Sequence, residues 1–486
     1  MKWKGAGAVM LEARIDEWIE AHREQLLADI GKLVAIPSVA EVSAEPKVYG
    51  EACAEALETM LTLGGQYGFQ TFNADYRCGV IEAGQQRAGK SVGIWGHVDV
   101  VPAGEHWIHP PFESTRKGDF LIGRGVQDNK GPAVAVLYAL RCIKELQIPL
   151  HYTVKQIVGC SEEAGMEDAL YFVEHHDVPD FNIVADSGFP VCYGEKGIIE
   201  AELASADWKS GSSAVVDFRA GSASNIVPGD AELTLRWDDA LAGKLEHLPA
   251  SIVIARTVVN GMEVVKLAAT GISGHAAFPS VSVNAINLLL DAVLSAGLLE
   301  DADDSAFRFI RSICATNDGA ALGITCADEL SGELTCVGAV GRLEDGEVRL
   351  AINIRYPITA EAQALLASLR QSAEAGGFKL ASVHINEANR GNKDAAEVRL
   401  LNDTFNRVMG TQTEPFVMGG GTYARKIPNA VAFGPGLPAD IGVLGMPAGH
   451  GQIHGPDEAQ SIPNLLTALK IYVMALIALN EAMQPD

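Results

Sequence analysis

Between residues 91 and 186 the chain alternates apolar, strand-like runs with helical ones, and each strand-like run ends at or just before a histidine or a carboxylate. SVGIWGHVDV reads as a buried strand entering a loop, DNKGPAVAVLYALRCIKEL as a helix, HYTVKQIVGC as a strand, MEDALYFVEHH as a helix and FNIVAD as a strand. That alternation predicts an α/β fold with a central, mostly parallel sheet covered by helices on both faces. In such folds functional groups gather at the carboxyl ends of the strands. A further helical run, from about 11 to 35, precedes this region and ends at the turn around Pro37.

From about residue 199 the pattern changes. Strand-like runs (AELTLRW, ASIVIARTVV, EVVKLAATGI, EVRLAINIRYP) accompany two helical ones (VNAINLLLDAVLSAG and AEAQALLASLRQSAEAGG), which predicts an inserted α+β domain. After about 390 the alternation resumes with a helix through VRLLNDTFNRVMG, the glycine-rich loop GGGTYAR, a strand AVAFGP and a closing helix introduced by Ser461 and Pro463. The first domain is therefore expected to be discontinuous, 1–198 and 391–486, with 199–390 inserted as a lid. At 486 residues two cores are expected in any case, because single cores rarely grow past roughly 250–300 residues.

A formal charge of −25 excludes nucleic acid and anionic membrane surfaces as natural partners, since both reward clustered Lys and Arg. The opening residues hold Lys2 and Lys4 but no apolar stretch of signal-peptide length, and a cytoplasmic enzyme is expected. LLTALKIYVMALIAL, interrupted by Lys470, falls short of a membrane span and is expected to be a buried helix. The cysteines, including Cys160 beside a pair of glutamates, form no CxxC and lack a cysteine-hydrolase signature. They read as small buried hydrophobes.

The polar motifs carry the chemistry: His97 and Asp99 in GHVDVVP, Asp128 in GVQDNKGP, Glu162 and Glu163 in GCSEEAG, Asp186 in VADSGFP and His454 in IHGPDE. Two imidazoles with several carboxylates suit a pair of divalent metals about 3.5–4 Å apart, one carboxylate bridging and one spare to move protons. Each motif alone has a plainer reading. HxD can be a polar strand end, Asp128 a helix N-cap, and the glutamate pair a solvated loop. Together, His97 reads as a ligand with Asp99 fixing its tautomer, Asp128 as the bridge, Glu163 as a ligand and Glu162 as general base and acid. Asp186 and His454 complete the two metal sets. His175 and His176 suit a helix C-terminus, while His106 and His109 stay open as accessory ligands.

This order of motifs resembles the co-catalytic zinc amidohydrolases of the aminoacylase and carboxypeptidase family, and most of all their bacterial PepV-like, or Xaa-His, dipeptidase branch. The resemblance spans essentially the whole chain. It implies a zinc-peptidase-like catalytic domain with a ferredoxin-like, doubled lid, and one metal on His97, Asp128 and Asp186 with the other on Asp128, Glu163 and His454. It implies zinc, with manganese or cobalt as alternatives. It further implies that Asn225 in SNIVPG and Arg355 in NIRYP bind the substrate carboxylate, that His275 in SGHAAFPS stabilises the oxyanion, and that Gly420 and Thr422 lie in a substrate-contacting loop. A doubled lid that supplies its histidine in cis implies a monomer. The expected activity is hydrolysis of small peptides, dipeptides with a free carboxylate first. The alternatives are an N-acyl amino acid deacylase or an inactive metal- or peptide-binding protein. Asn129, where an acid is common, and the two histidines of GEHWIHPPF depart from the family pattern.

Overall fold

The computed structural model describes residues 6–84, 89–206 and 213–483; Lys2 and Lys4 lie outside them. The chain divides into two compact units. One comprises Met1–Gly194, Arg390–Val417 and Gly421–Asp486, and the other Glu195–Asn389 and Met418–Gly420.

The first unit is built on a sheet whose strands run in the order Gln70–Ala74, Cys78–Ala83, Thr153–Gly159, Ser91–His97, Phe181–Val184, Ala430–Phe433 and Val191–Glu195. The four from Thr153–Gly159 to Ala430–Phe433 are parallel, as the alternating pattern predicts, and antiparallel pairs extend the sheet on either side. Ser91–His97 is buried along almost its whole length, which is why it reads as a continuous apolar run rather than an alternating one. Helices Ala6–Val34, Lys130–Glu145 and Ile462–Leu479 pack together against this layer. Ser461 caps the last of these by accepting the Asn464 N–H, and Pro463 sits in its first turn. That helix is long and apolar enough to cross a membrane, yet nearly every side chain from Leu465 to Leu479 is packed in the protein core.

The second unit is one antiparallel sheet of eight strands, in the order Val253–Val259, Met262–Thr270, Asp230–Arg236, Val215–Ala220, Thr335–Glu344, Glu347–Tyr356, Gly197–Ser205 and Phe378–Asn386. Its last four strands, with helices Asp301–Cys314 and Ala362–Ala375, follow the β-α-β-β-α-β order of a ferredoxin-like fold. The other four, with helices Asp239–Leu245 and Ala285–Ser295, enter after the first strand of that fold and continue its sheet. The doubling therefore arises by insertion of one four-stranded piece into another. One apolar core underlies the sheet from Met262–Thr270 to Phe378–Asn386, while Val253–Val259 is almost wholly exposed.

Candidate active site

His97 is the last residue of its strand and is fully buried. Its Nδ1 lies 3.0 Å from the backbone oxygen of Asp99 and 3.3 Å from that residue's Oδ1. Only an N–H can face two acceptors, so Nδ1 carries the proton and Nε2 points to Asp128 Oδ1 at 3.1 Å and Asp186 Oδ2 at 3.7 Å. Asp99 thus stands where a tautomer-fixing carboxylate belongs. Its two oxygens also accept the backbone N–H groups of Glu162 and Glu163, at 3.2 and 3.0 Å, which ties the glutamate turn to the histidine strand.

Asp128 precedes the helix Lys130–Glu145, and Asn129 occupies the N-cap position without a capping side-chain bond. The carboxylate of Asp128 is not used as a cap. Its Oδ2 lies 3.1 Å from His454 Nε2 while its Oδ1 faces His97, so one carboxylate spans two imidazoles. His454 Nε2 is also 2.9 Å from Glu163 Oε1. The structure therefore brings together every metal ligand named from the sequence. Ligand atoms of His97, Asp128 and Glu163, and of His97, Glu162 and Asp186, lie within 4.8 Å of one another in each set.

The donor set fits divalent cations. Among the described residues, the ion pairs made by Asp128, Glu163 and Asp186 go to His97 and His454, with no Lys or Arg among them. Burial, then the neighbouring Asp186, raises the Glu162 carboxyl well above its usual range, and Glu163 and Asp128 add to the effect. Burial and then Asp128 lift Asp186 to about 7. Burial also works against ionised Asp128, but the two imidazoles outweigh it and hold that carboxyl well below its ordinary range. Likewise burial disfavours a charged His97, and Asp99, Asp128 and Asp186 more than offset it. Buried carboxylates crowded in this way call for positive charge at their centre. Glu162 lies beside His97 and Asp186, and its Oε1 is buried and makes no hydrogen bond.

Several residues that hold this site carry no motif of their own in the sequence. Glu458, buried, accepts the backbone N–H groups of Gly125, Gln127 and Asp128 on one oxygen, and Arg124 Nη1 at 2.7 Å on the other. Arg124 Nη2 in turn reaches the His454 carbonyl at 3.3 Å. This buried pair joins the bridging carboxylate to the late histidine. Asp168 accepts the N–H groups of Cys160 and Ser161 and the hydroxyl of Tyr423 at 2.6 Å, bracing the turn before Glu162. Asn129, the departure from the family pattern, accepts the His97 N–H and donates to Asp186 Oδ1 at 2.9 Å, so it orients a ligand as a neutral amide. The second acid of HGPDE and the GRG approach are the signals in the sequence for the Arg124 and Glu458 pair.

His109 is not drawn into the metal cluster. Its Nδ1 bonds Asp457 Oδ1 at 2.8 Å, and His450 bonds the other oxygen at 2.6 Å, clipping the Pro-rich loop to the HGPDE loop. His106 is absent from both donor sets. His175 accompanies the helix end, stacked on Tyr171.

Of the residues expected to meet substrate, Thr422 lies in the first unit, and Asn225, His275, Arg355 and Gly420 lie in the second. The Thr422 hydroxyl accepts the Ala424 N–H at 3.1 Å as a local cap. A Cβ on Gly420 would meet only the Met418 side chain, at 3.9 Å, so the fold itself does not demand glycine there. His275 pairs with Ile226 in a short antiparallel ladder, and the Ala276 N–H bonds the Asn225 carbonyl at 2.8 Å, which places Asn225 and His275 side by side. His275 Nδ1 accepts the Ala277 N–H at 3.1 Å, which leaves the ring proton of the neutral form on Nε2.

Two imidazoles spanned by a carboxylate at the strand ends of an α/β sheet, with a spare buried glutamate, define a metal-dependent hydrolase. Residues 93–478 match Peptidase family M20/M25/M40, and the chain belongs to that family; it is a metallopeptidase. It is 31% identical over 473 residues to a Bacillus subtilis (strain 168) protein named "Putative dipeptidase YtjP", covering 94% of this chain and 98% of the relative. A "Putative dipeptidase SH1171" of Staphylococcus haemolyticus (strain JCSC1435) is 27% identical over 474 residues, covering 95% and 98%. In fold the chain is similar to human carnosine dipeptidase 1, with a TM-score of 0.58 at 15% identity over 97% of this chain and 99% of that one. It is likewise similar to the dipeptidase Dug1p of Saccharomyces cerevisiae, with a TM-score of 0.57 at 14% identity over 97% and 98%.

Proposed function

We propose that this metallopeptidase is a cytoplasmic, monomeric dipeptidase of the PepV-like branch, acting on dipeptides with a free C-terminal carboxylate. The observation that carries its mechanism is Glu162 Oε1, buried, without a hydrogen bond and among the metal-ligand carboxylates. His97, Asp128 and Asp186 would hold one divalent ion and His454, Asp128 and Glu163 the other, with zinc the expected metal and manganese or cobalt suited to the same donors. Ions held there would supply Lewis acidity toward the scissile carbonyl and toward water. Glu162 accepts the proton of the attacking water and returns it to the leaving amine. Asp99 keeps the His97 ring and the Glu162 turn in register through its three contacts. Asn225 and Arg355 take the substrate carboxylate, His275 donates Nε2–H to the developing oxyanion, and the loop of Gly420 and Thr422 contacts the peptide backbone.

The reading is tested by amine release from dipeptides, tripeptides and N-acetyl or N-succinyl amino acids, using chelated enzyme reloaded with zinc, manganese or cobalt. Metal-dependent cleavage confined to dipeptides is expected. Cleavage restricted to acylated amino acids would transfer the protein to the deacylases.

A further inference from the structure

A chain of side-chain hydrogen bonds in the second unit ends on Arg355. Arg355 and Asn353 are two apart on the strand Glu347–Tyr356 and therefore share a face. Arg355 Nε donates to Asn353 Oδ1 at 2.8 Å, and the Asn353 side-chain NH2 donates across the ladder to Glu200 Oε1 at 3.3 Å. Glu200 lies directly opposite Asn353 in the register. The same Glu200 oxygen accepts the hydroxyl of Ser224 at 2.6 Å, and Ser224 immediately precedes Asn225. Asn353 is fully buried, so its two amide bonds are fixed rather than exchanged with water.

We infer that Glu200 and Asn353 are positioning residues for recognition of the substrate carboxylate, one hub setting both Arg355 and the Ser224–Asn225 turn. The inference rests on the reading of Asn225 and Arg355 as the carboxylate-binding pair. Two physical features support it. A guanidinium bonded at Nε has lost rotation about its last torsions, so the entropy of ordering it is spent before substrate arrives. Asn353 also places a neutral amide between the guanidinium and the Glu200 carboxylate. At this contact the amide orients the guanidinium without setting a carboxylate against Nε.

The experiment compares kcat and KM for a dipeptide and for its C-terminal amide, in the wild type, Asn353→Ala, Glu200→Ala and Arg355→Ala, each loaded with the same metal. Asn353→Ala is expected to raise KM for the free acid about tenfold, the scale of one charge-assisted hydrogen bond, with kcat within about twofold. For the amide, which offers no carboxylate, kcat/KM is expected to stay at the wild-type value. Asn353→Asp keeps the acceptor for Arg355 but sets a charge beside it, and is expected to raise the free-acid KM as well. Equal losses on acid and amide would reduce the relay to a general structural role and overturn the inference. Glu200→Ala, at a less buried position, gives the same comparison should the Asn353 variants fail to fold. Arg355→Ala separates the two levels of argument. If it removes acid-over-amide preference while Glu200→Ala and Asn353→Ala keep it, the relay falls and the carboxylate reading stands. If Arg355→Ala itself keeps the preference, the underlying reading falls.

Discussion

Glu162 and Glu163 are neighbours in sequence with opposite environments. Glu163 Oε1 meets His454 at 2.9 Å, whereas Glu162 Oε1 meets no hydrogen-bonding partner, and the proposed division into a ligand and an acid–base group rests on that difference. Glu162→Gln is expected to lower kcat by ~10²–10⁴ while metal content, measured by plasma mass spectrometry, stays at the wild-type level. Retained activity would remove Glu162 from the mechanism. Glu458 acts one step further out. Its loss in Glu458→Ala strands the buried Arg124 guanidinium and frees the Gly125, Gln127 and Asp128 N–H groups. A destabilisation of about 3–5 kcal/mol by denaturant titration is expected, since breaking a buried pair leaves an uncompensated charge. Metal affinity, read by competition with a chromogenic chelator, is expected to fall roughly 10–100-fold, as for other residues that orient ligands. Unchanged affinity would show that the Arg124 and Glu458 pair does not set the ligand geometry.

At the scale of elements, the strands buried on both faces and their polar ends are legible in the sequence, because an apolar run that stops abruptly at His97 or Asp186 marks a strand delivering a polar group to the sheet's edge. The helix Asp301–Cys314 does not stand out in the same way, although its acidic first turn and its buried Phe307, Ile310 and Ile313 carry the helical period. Phe378–Asn386 escapes a reading of the sequence for a physical reason. It is the sheet's edge strand and is mostly solvent-exposed, so it has no apolar alternation to show. Asp168 is hidden because its partners are mainly backbone N–H groups, and a backbone partner leaves no side-chain pattern. Glycine placement can be tested directly. A Cβ at Gly159 would stand 2.0 Å from Tyr423 Oη and 2.3 Å from Asp168 Oδ2, both buried, so Gly159→Ala is expected to cost ~1–3 kcal/mol and to lower activity. Gly65, in the helix Glu51–Gln66 with nothing within 4 Å of where an added methyl would stand, is the control, and Gly65→Ala is expected to stabilise by roughly 0.5 kcal/mol. Equal effects in thermal unfolding would contradict the packing argument.

For the molecule as a whole, two separate apolar cores predict unfolding that is not two-state, and the cysteines are distributed so as to report it. Cys53, Cys78, Cys142, Cys160 and Cys192 belong to the first unit, and Cys314, Cys326 and Cys336 to the second. All but Cys326 are buried, and burial pushes the thiols of Cys53, Cys142 and Cys336 up to about 12, so the native protein is expected to react with a disulfide reagent at Cys326 alone. During a denaturant titration the remaining thiols are expected to appear in two groups, assigned by mass spectrometry of the labelled peptides. His97, Asp128, Glu163, Asp186 and His454 all lie in the first unit, so a bound metal stabilises that unit by mass action, by about 2.7 kcal/mol at a hundredfold excess over Kd. Chelation is therefore expected to move the step that unmasks Cys53, Cys142 and Cys160 to lower denaturant and to leave the Cys314 and Cys336 step in place. A single transition releasing every thiol together, or one in which the chelator shifts both groups equally, would show that the two cores stand or fall as one.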